Sequence, residues 1–216
     1  MFSPKSRSAF TLIELLTVIA IIAILMGLLF PAMNAVKDSA NKTRAKNDMT
    51  QIVTGVKAYY TEYVKYPLLP AQQGVTDFFD FGNGGTTNNY LFDVMRANGI
   101  NWDDPNAAPA SGNLNPRRIA FMDIAYAKDL SNPKGGIAQQ GSQGNLQGQF
   151  VDPWGTAYIV RMDSDYNNAI PNPYTSGAGA STLNTGVIVW SKGKDKQGGS
   201  GTYGTGSTSD DVISWQ

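Results

Sequence analysis

The chain has 216 residues, a net charge of zero from 17 basic and 17 acidic side chains, and neither cysteine nor histidine. Without those two residue types it has no thiol nucleophile, no imidazole general base, no disulfide framework and no zinc site with Cys or His ligands. The balanced charge, with no long basic block, also argues against a nucleic-acid partner. A membrane, structural or binding role, or carboxylate chemistry, is compatible with this composition.

An apolar run covers residues 10–30 and contains a single ionisable side chain, Glu14. A helix of this length extends over roughly 30 Å, the thickness of a bilayer's hydrocarbon core. Lys5 and Arg7 precede the run without an acidic residue, so the positive-inside rule places residues 1–9 in the cytoplasm. We predict a retained transmembrane helix, because a cleaved secretory signal has only about 7 to 15 apolar residues before its cleavage site.

Glu14 is the unusual residue of this run, because a carboxylate at the centre of a membrane helix costs on the order of 2.5 to 3.5 kcal/mol and calls for a partner. We expect no partner within the apolar run itself. Cleavage between Ala9 and Phe10 would create an α-ammonium one helical turn before Glu14, within reach of the same carboxylate or that of a neighbouring subunit. The alternative is a neutral or hydrated acid near the membrane interface.

The residues SRSA, followed by FTLIELLTVIAIIAILMGLLFP, resemble the class III signal of type IV prepilins and type II secretion pseudopilins. The resemblance implies that prepilin peptidase cuts after Ala9 and methylates Phe10, and that Glu14 is needed for assembly. It also implies a non-enzymatic subunit of a helical filament, which polymerises through its N-terminal helix. Ala9 replaces the family's usual Gly, and we still expect cleavage because alanine is small.

The same resemblance implies a location and a set of partners. The precursor would be a single-pass protein of the inner membrane, with its C-terminal domain in the periplasm and with assembly into a periplasmic filament. Besides further copies of itself, its partners would be prepilin peptidase, an inner-membrane assembly platform and minor pseudopilins.

Beyond Pro31 the apolar residues keep helical spacing and predict an amphipathic helix to about Lys65, with a stripe of Val36, Ala40, Ala45, Met49, Ile52, Val53, Val56, Tyr59, Tyr60 and Tyr63. Strands are predicted at 157–162 and 187–190, with a short helix at 89–98 and a possible strand at 118–124. We therefore expect an α+β, pilin-like fold, in which the long N-terminal helix, half membrane-embedded and half amphipathic, packs on a small antiparallel C-terminal sheet. The predicted regions are a leader (1–9), a transmembrane and filament-core helix (10–30) and a periplasmic globular domain (31–216).

A glycine-rich loop lies between Asp195 and the neighbours Asp210 and Asp211, and Lys196 is its one charged residue. Calcium takes about six to eight oxygen ligands, so these carboxylates and nearby main-chain carbonyls are suitable. The order DPWG, strand, SKGKD, glycine-rich loop and DDVISW also resembles the end of type II secretion major pseudopilins. This resemblance implies a structural Ca²⁺ bound by Asp195, Asp210, Asp211 and the backbone carbonyl of Lys192. The alternative is a solvated loop.

A second acidic cluster, Asp163, Asp165 and Asn167, imitates the start of an EF-hand calcium loop. The sixth position, however, is Asn168 instead of Gly, and the twelfth is Tyr174 instead of Glu. We interpret this cluster as an Asx-rich turn after a strand.

Our leading interpretation is a type II secretion major pseudopilin, and the alternative is a type IV pilus pilin for adhesion, motility or DNA uptake. The absence of cysteine favours the first, because many type IV pilins close their C-terminal region with a disulfide. A membrane-anchored periplasmic enzyme or sugar-binding module is a third hypothesis, although no spacing supports a paired acid and base among its candidate residues: Asp77, Asp80, Asp103, Asp104, Tyr66 and Trp102.

Overall fold

A computed structural model describes residues 11–74, 76–84, 86–97 and 114–216 of the chain, leaving out the side chains of residues 28, 31, 32 and 71. The expected α+β class is confirmed, since one long helix is followed by a short helix and small sheets. The chain divides into two compact units, Met1–Ala40 and Asn41–Gln216. The predicted leader, including Ala9, and Phe10 lie outside the described residues.

Helix α1 spans Leu12–Tyr63 and confirms most of the helix expected between residues 10 and about 65. It ends where the Val64 N–H donates to the carbonyl of Tyr60 at 2.8 Å and Val64 adopts a φ of 53°. A residue in this left-handed conformation commonly follows a helix, and Pro67 then prevents any resumption. Valine is an uncommon choice there, because its branched Cβ crowds the backbone at positive φ.

The large apolar side chains of α1 that the structure describes in the first unit are exposed. They are Leu12, Ile13, Leu15, Leu16, Val18, Ile19, Ile21, Ile22, Ile24, Leu25, Met26, Leu29, Phe30, Met33 and Val36. Over the part of the chain that the structure describes, no helix is both long enough and apolar enough to cross a membrane.

In the second unit, α1 buries one face in the main hydrophobic core, through Ala45, Met49, Ile52, Val56 and Tyr59. These residues recur every three or four positions, the spacing that places side chains on one face of a helix. The predicted amphipathic stripe is therefore confirmed over this stretch. Of its other predicted members, Val53 and Tyr63 are half-buried against this core, whereas Val36, Ala40 and Tyr60 are exposed.

The main sheet has four antiparallel strands in the order β1–β4–β8–β10, with bounds Phe78–Phe81, Ile159–Asp163, Val187–Ser191 and Val212–Ile213. Successive side chains of a strand point to opposite faces of the sheet. Val160 and Val189 accordingly join the main core with α1, whereas Ile159, Ile188 and Trp190 join a second apolar cluster with Tyr174. The central strands β4 and β8 are buried on both faces.

The remaining elements are short: α2 (Asn89–Met95), the antiparallel pairs β2 (Gly136–Ile137) with β3 (Phe150–Val151) and β5 (Ile170–Pro171) with β7 (Thr182–Leu183), the parallel pair β6 (Tyr174–Ser176) with β9 (Gly201–Thr202), and 3₁₀ turns at Pro70–Gln72 and Gly206–Thr208. The prediction of a strand at 118–124 is wrong. There the N–H groups of Phe121 and Met122 both donate to the carbonyl of Met95 at the end of α2, so this segment does not join a sheet ladder.

Candidate functional site

Glu14 occupies the third position of α1 and closes a capping box with Thr11. The Thr11 N–H and hydroxyl donate to Glu14 Oε2 at 2.8 and 2.7 Å, and the Glu14 N–H donates to Thr11 Oγ1 at 3.3 Å. This reciprocal arrangement satisfies two backbone donors that a helix start otherwise leaves without partners. The expectation that the apolar run offers Glu14 no partner is therefore wrong. The pattern Thr-x-x-Glu before an apolar run is a recognised signal for this motif, so the capping box can be read from the sequence.

In the second unit, the loop that follows β8 returns to Asp210 and Asp211 just before β10. Asp210 Oδ2 accepts hydrogen bonds from the N–H groups of Lys194 at 2.5 Å and Asp195 at 2.9 Å. The two ends of the loop are thus joined through one carboxylate oxygen.

Asp211 is held by a different pair of donors. Its Oδ2 accepts from the Gly199 N–H and from the Tyr174 hydroxyl, both at 2.9 Å. The residue is 4% exposed. Burial raises the pKa of Asp211, and the nearby charges of Asp210 and Asp195 raise it further. Its carboxylate therefore lies in a poorly hydrated, negatively charged environment.

The second oxygen of each carboxylate is buried without a partner. Asp210 Oδ1 and Asp211 Oδ1 accept no hydrogen bond from any residue that the structure describes. An unsatisfied charged oxygen in a protein interior is costly. Two such oxygens on adjacent residues are therefore the strongest indication of a cation site in this unit.

Two glycines permit this close packing of the loop. At Gly198, which has a φ of 81°, a Cβ would lie 2.8 Å from Asp211 Oδ2, and at Gly193, with a φ of 65°, it would lie 2.8 Å from Asp210 Cγ. Any side chain here would both strain the backbone and displace a carboxylate. Gly193 and Gly198 thus allow the loop to pack closely against the two carboxylates, which a merely solvated loop would not require.

The third predicted carboxylate is less well placed. Asp195 is exposed, and its Oδ1 accepts from the Gln197 N–H at 2.8 Å within its own turn. No group of three or more Asp, Glu, His or Cys side chains within the described ranges is gathered closely enough to hold a metal ion. The ligand set of Asp195, Asp210, Asp211 and the Lys192 carbonyl therefore stays a prediction.

A buried carboxylate beneath the loop connects it to the preceding turn. Asp152 Oδ1 accepts from the N–H groups of Trp154, Gly155 and Thr156, and its Oδ2 accepts from the hydroxyls of Thr156 and Ser191, both at 2.5 Å. Ser191 Oγ in turn accepts from the Gly193 N–H at 3.1 Å. The DPWG turn is thereby hydrogen-bonded to the start of the glycine-rich loop.

The interpretation of the second acidic cluster as an Asx-rich turn is confirmed. Asp163 Oδ1 and Oδ2 accept from the N–H groups of Tyr166 and Asn168, and Asp165 Oδ1 accepts from the Asn167 N–H. The carboxylates cap their own backbone.

The candidate residues of an enzyme or sugar-binding site do not come together among the described residues. Asp80 pairs with Arg161, whose Nε lies 2.6 Å from its Oδ1, and Tyr66 stacks against Tyr166 with ring centroids 5.5 Å apart. Of the other candidates, Asp77 is exposed just before β1, and Trp102, Asp103 and Asp104 lie outside the described residues.

Comparison with known proteins points to the N-terminal segment first. Residues 4–30 match the family model described as the prokaryotic N-terminal methylation motif. The chain is also 35% identical over 71 residues to the type II secretion system core protein G of Pseudomonas aeruginosa. The expected resemblance to prepilins and type II secretion pseudopilins is thus confirmed.

The extent of that similarity is limited. The aligned part makes up 33% of this chain and 49% of the relative, so the chain spans about half the length of the curated relative it matches. No solved structure matches the chain.

Proposed function

We propose that this protein is a non-enzymatic structural subunit of a helical filament that drives type II protein secretion. The observation that carries the proposal is the prokaryotic N-terminal methylation motif over residues 4–30, with Glu14 at the start of a long helix. In this proposal, prepilin peptidase cuts after Ala9 on the cytoplasmic side and methylates the new N-terminus, Phe10.

The exposed apolar side chains that the structure describes between Leu12 and Val36 support a role for this half of α1 in contacts outside the single chain. We propose that it anchors the precursor in the inner membrane, with the second unit in the periplasm, and that it later forms the core of the filament. Its partners are then further copies of the chain, prepilin peptidase, the inner-membrane assembly platform and minor pseudopilins.

Glu14 couples extraction from the membrane to assembly in this proposal. Thr11 engages only Oε2 of the carboxylate, and the net negative charge of Glu14 is not neutralised by a hydroxyl or an amide. A Phe10 ammonium from a neighbouring subunit would supply the missing positive charge. The carboxylate therefore gains its counter-ion on polymerisation, which favours one register between subunits.

A type IV pilus pilin is the second candidate function, because the methylation motif by itself does not separate the two. The similarity to a type II secretion core protein favours the secretion filament. The absence of cysteine also favours it, since the C-terminal region cannot be closed by a disulfide.

We propose further that the second unit binds one structural Ca²⁺ through Asp195, Asp210, Asp211 and the Lys192 carbonyl. The fit rests on the two buried, unpartnered oxygens Asp210 Oδ1 and Asp211 Oδ1. Calcium is a hard cation that binds carboxylate and carbonyl oxygens, so these two oxygens are suitable ligands for it.

The maturation step is tested by mass spectrometry of the N-terminal peptide from cells that express prepilin peptidase. We expect a chain that begins with N-methylated Phe10. A chain that still begins at Met1, or one that begins beyond Phe30, contradicts the proposal.

The assembly step is tested with Glu14→Ala, which makes the apolar segment more apolar but removes the carboxylate. We expect normal membrane insertion and cleavage with loss of filaments, scored by shearing and electron microscopy. Glu62→Ala, which removes a half-buried acid from the far end of the same helix, is the control and should assemble. Normal filaments from Glu14→Ala would show that the carboxylate has no such role.

Calcium binding is tested by thermal melting of the full chain in detergent, with calcium and with chelator. Saturation at about 100 times Kd stabilises a protein by about 2.7 kcal/mol, or about 5 to 10 °C for a domain of this size. Magnesium should stabilise less, because it demands near-octahedral geometry and gives up water reluctantly. Asp210→Ala combined with Asp211→Ala should remove the response and expose residues 197–209 to protease, whereas Asp165→Ala should retain it. Identical melting in both conditions contradicts the calcium site.

A further inference from the structure

We infer that Tyr174 is a positioning residue of the proposed calcium site, which it serves by fixing the carboxylate of Asp211. This inference rests on the proposed site and adds to it a residue from a distant part of the chain. Tyr174 does not itself supply a ligand. It holds one oxygen of Asp211 and leaves the other for the metal ion.

The hydrogen bonds of Asp211 divide its two oxygens into different roles. Oδ2 accepts from both the Tyr174 hydroxyl and the Gly199 N–H, at 2.9 Å each, whereas Oδ1 is buried and accepts nothing from the described residues. Two donors on one oxygen fix the carboxylate plane. The geometry of Oδ1 is then determined before a cation arrives, which lowers the entropy lost on binding.

Asp210 shows the same division, and this repetition supports the inference. Its Oδ2 is held by the N–H groups of Lys194 and Asp195, and its Oδ1 is likewise buried without a partner. The two adjacent carboxylates therefore each present a single available oxygen. The difference is that Asp210 Oδ2 accepts from two backbone N–H groups, whereas Asp211 Oδ2 accepts from one backbone N–H group and from one side chain, that of Tyr174.

Tyr174 is itself held firmly. It is 2% exposed, and its ring contacts those of Tyr203 and Trp215, with centroids 5.2 and 6.1 Å away. Its own N–H donates to Asn172 Oδ1 at 3.0 Å. The backbone of Tyr174 belongs to β6, which pairs in parallel with β9 inside the glycine-rich loop. The hydroxyl therefore has little freedom to leave Asp211.

A merely structural tyrosine would pack in the same cluster without affecting the metal ion. Tyr203 provides this comparison within the same protein. Its hydroxyl donates at 3.2 Å to the main-chain oxygen of Asp211 and not to the carboxylate, and its ring packs against Tyr174. The pair Tyr174→Phe and Tyr203→Phe removes one hydroxyl from each of two neighbouring rings, and only the first loss affects the carboxylate.

The experiment is a calcium titration of the full chain in detergent by isothermal titration calorimetry. Loss of a group that orients a metal ligand typically weakens metal binding by about 10- to 100-fold. We expect Tyr174→Phe to raise the Kd for Ca²⁺ at least about tenfold and Tyr203→Phe to change it less than about twofold. Replacement of Tyr174 by 4-aminophenylalanine, which restores a donor on a ring of similar size, should return the Kd to within about threefold of the original.

The outcomes separate this inference from the site on which it rests. Unchanged calcium affinity in Tyr174→Phe, with binding still abolished by the double change Asp210→Ala and Asp211→Ala, overturns the role of Tyr174 and leaves the site intact. Equal losses in Tyr174→Phe and Tyr203→Phe, or no rescue by the 4-amino analogue, also overturn it, because they indicate a general packing defect. Absence of calcium binding by the unmodified chain overturns both proposals.

Discussion

The hydroxyl of Tyr158 donates a 2.8 Å hydrogen bond to Asp48 Oδ2 and so joins helix α1 to the chain that enters β4. Both partners are removed from water to a large extent, Tyr158 completely. Burial raises the pKa of Asp48, and the hydrogen bond from Tyr158 and the charge of Arg44 oppose this effect without cancelling it. The carboxylate is thus harder to ionise in the folded chain than in the unfolded one.

This relationship predicts a specific pH dependence for Asp48→Asn. Because the folded pKa is raised above its usual value of 3.8, the folded state binds the proton more tightly, and Asp48 lowers stability as the pH rises from about 4 through the folded pKa. We expect the free energy of unfolding of Asp48→Asn, relative to the unmodified chain, to increase over this interval and then level off. Chemical denaturation at several pH values measures it.

Asp129 supplies a control, because its pKa is shifted in the direction opposite to that of Asp48. The hydroxyl and N–H of Ser131 and the N–H of Asn132 bind this exposed carboxylate and lower its pKa. Its stabilising contribution is present above about pH 4 and is lost as the pH falls through the lowered folded pKa. Asp129→Asn should therefore show the reverse slope. Parallel slopes for the two variants would refute the assignment to Asp48.

The buried carboxylate of Asp152 predicts a large loss of stability on truncation. Asp152→Ala leaves three backbone N–H groups and the hydroxyls of Thr156 and Ser191 without their acceptor. Each unsatisfied buried donor costs about 1 to 3 kcal/mol, and partial rehydration of the turn in the variant reduces the sum. We expect a loss of about 3 kcal/mol or more in urea denaturation.

Asp165→Ala is the matched control, since Asp165 also caps a turn but is exposed. It should cost less than about 1 kcal/mol, because water replaces the lost acceptor. Similar losses of unfolding free energy in both variants would show that burial of the Asp152 turn does not cause the destabilisation.

The ion pair of Arg161 and Asp80 predicts that lysine cannot replace arginine. Arg161 Nε and Nη2 donate to the two oxygens of Asp80 at 2.6 and 2.8 Å, and Nη1 donates to the Pro171 carbonyl at 2.9 Å. The guanidinium also lies 3.7 Å from the Phe78 ring centroid. Lysine is charged but lacks the planar fork, so Arg161→Lys should destabilise the chain by about 2 kcal/mol or more.

The exposed pair of Arg117 and Glu62 is the control for this prediction. Pairs of this kind contribute about 0 to 1 kcal/mol, so Arg117→Lys should change the unfolding free energy by less than about 0.5 kcal/mol. Equal effects of the two Arg→Lys changes, measured by denaturation, would contradict the role assigned to the buried fork.

Gly186 is predicted to be essential for the position of Tyr66. A Cβ at this buried glycine would overlap the hydroxyl of Tyr66, whose ring stacks on Tyr166. We expect Gly186→Ala to cost about 1 to 3 kcal/mol, because an aromatic ring held in a stack cannot move aside easily. Thermal melting measures the loss of stability.

Gly55→Ala is the control, because its Cβ would meet the flexible Met122 side chain and because alanine favours the helix. A larger loss of stability in Gly55→Ala than in Gly186→Ala would contradict the explanation by the Tyr66 ring.

Local patterns were sufficient to predict the parts of this protein that depend on nearby residues. The helix ending near Tyr63, the strands at Ile159–Asp163 and Val187–Ser191, and the Asx turn at Asp163 all follow from periodicity, β-branched runs and side-chain capping within a few positions. The capping box of Thr11 and Glu14 is also local. A carboxylate in an apolar run suggests a membrane charge, and the same residue at the third position of a helix is a capping group.

Only the tertiary structure decides which distant residues meet. Strand β1 at Phe78–Phe81 was not predicted, because it forms by pairing with β4, which lies about 80 positions later in the chain. Arg161 donates a hydrogen bond to Asp80, and Tyr174 donates one to Asp211, and in both pairs the residues are far apart in the sequence. The sequence by itself determined which residues can carry charge, cap a turn or form a helix, since these properties are chemical or local. The folded chain determined which carboxylate oxygens are already bound and which are left for a cation, because that depends on donors brought together by the sheet.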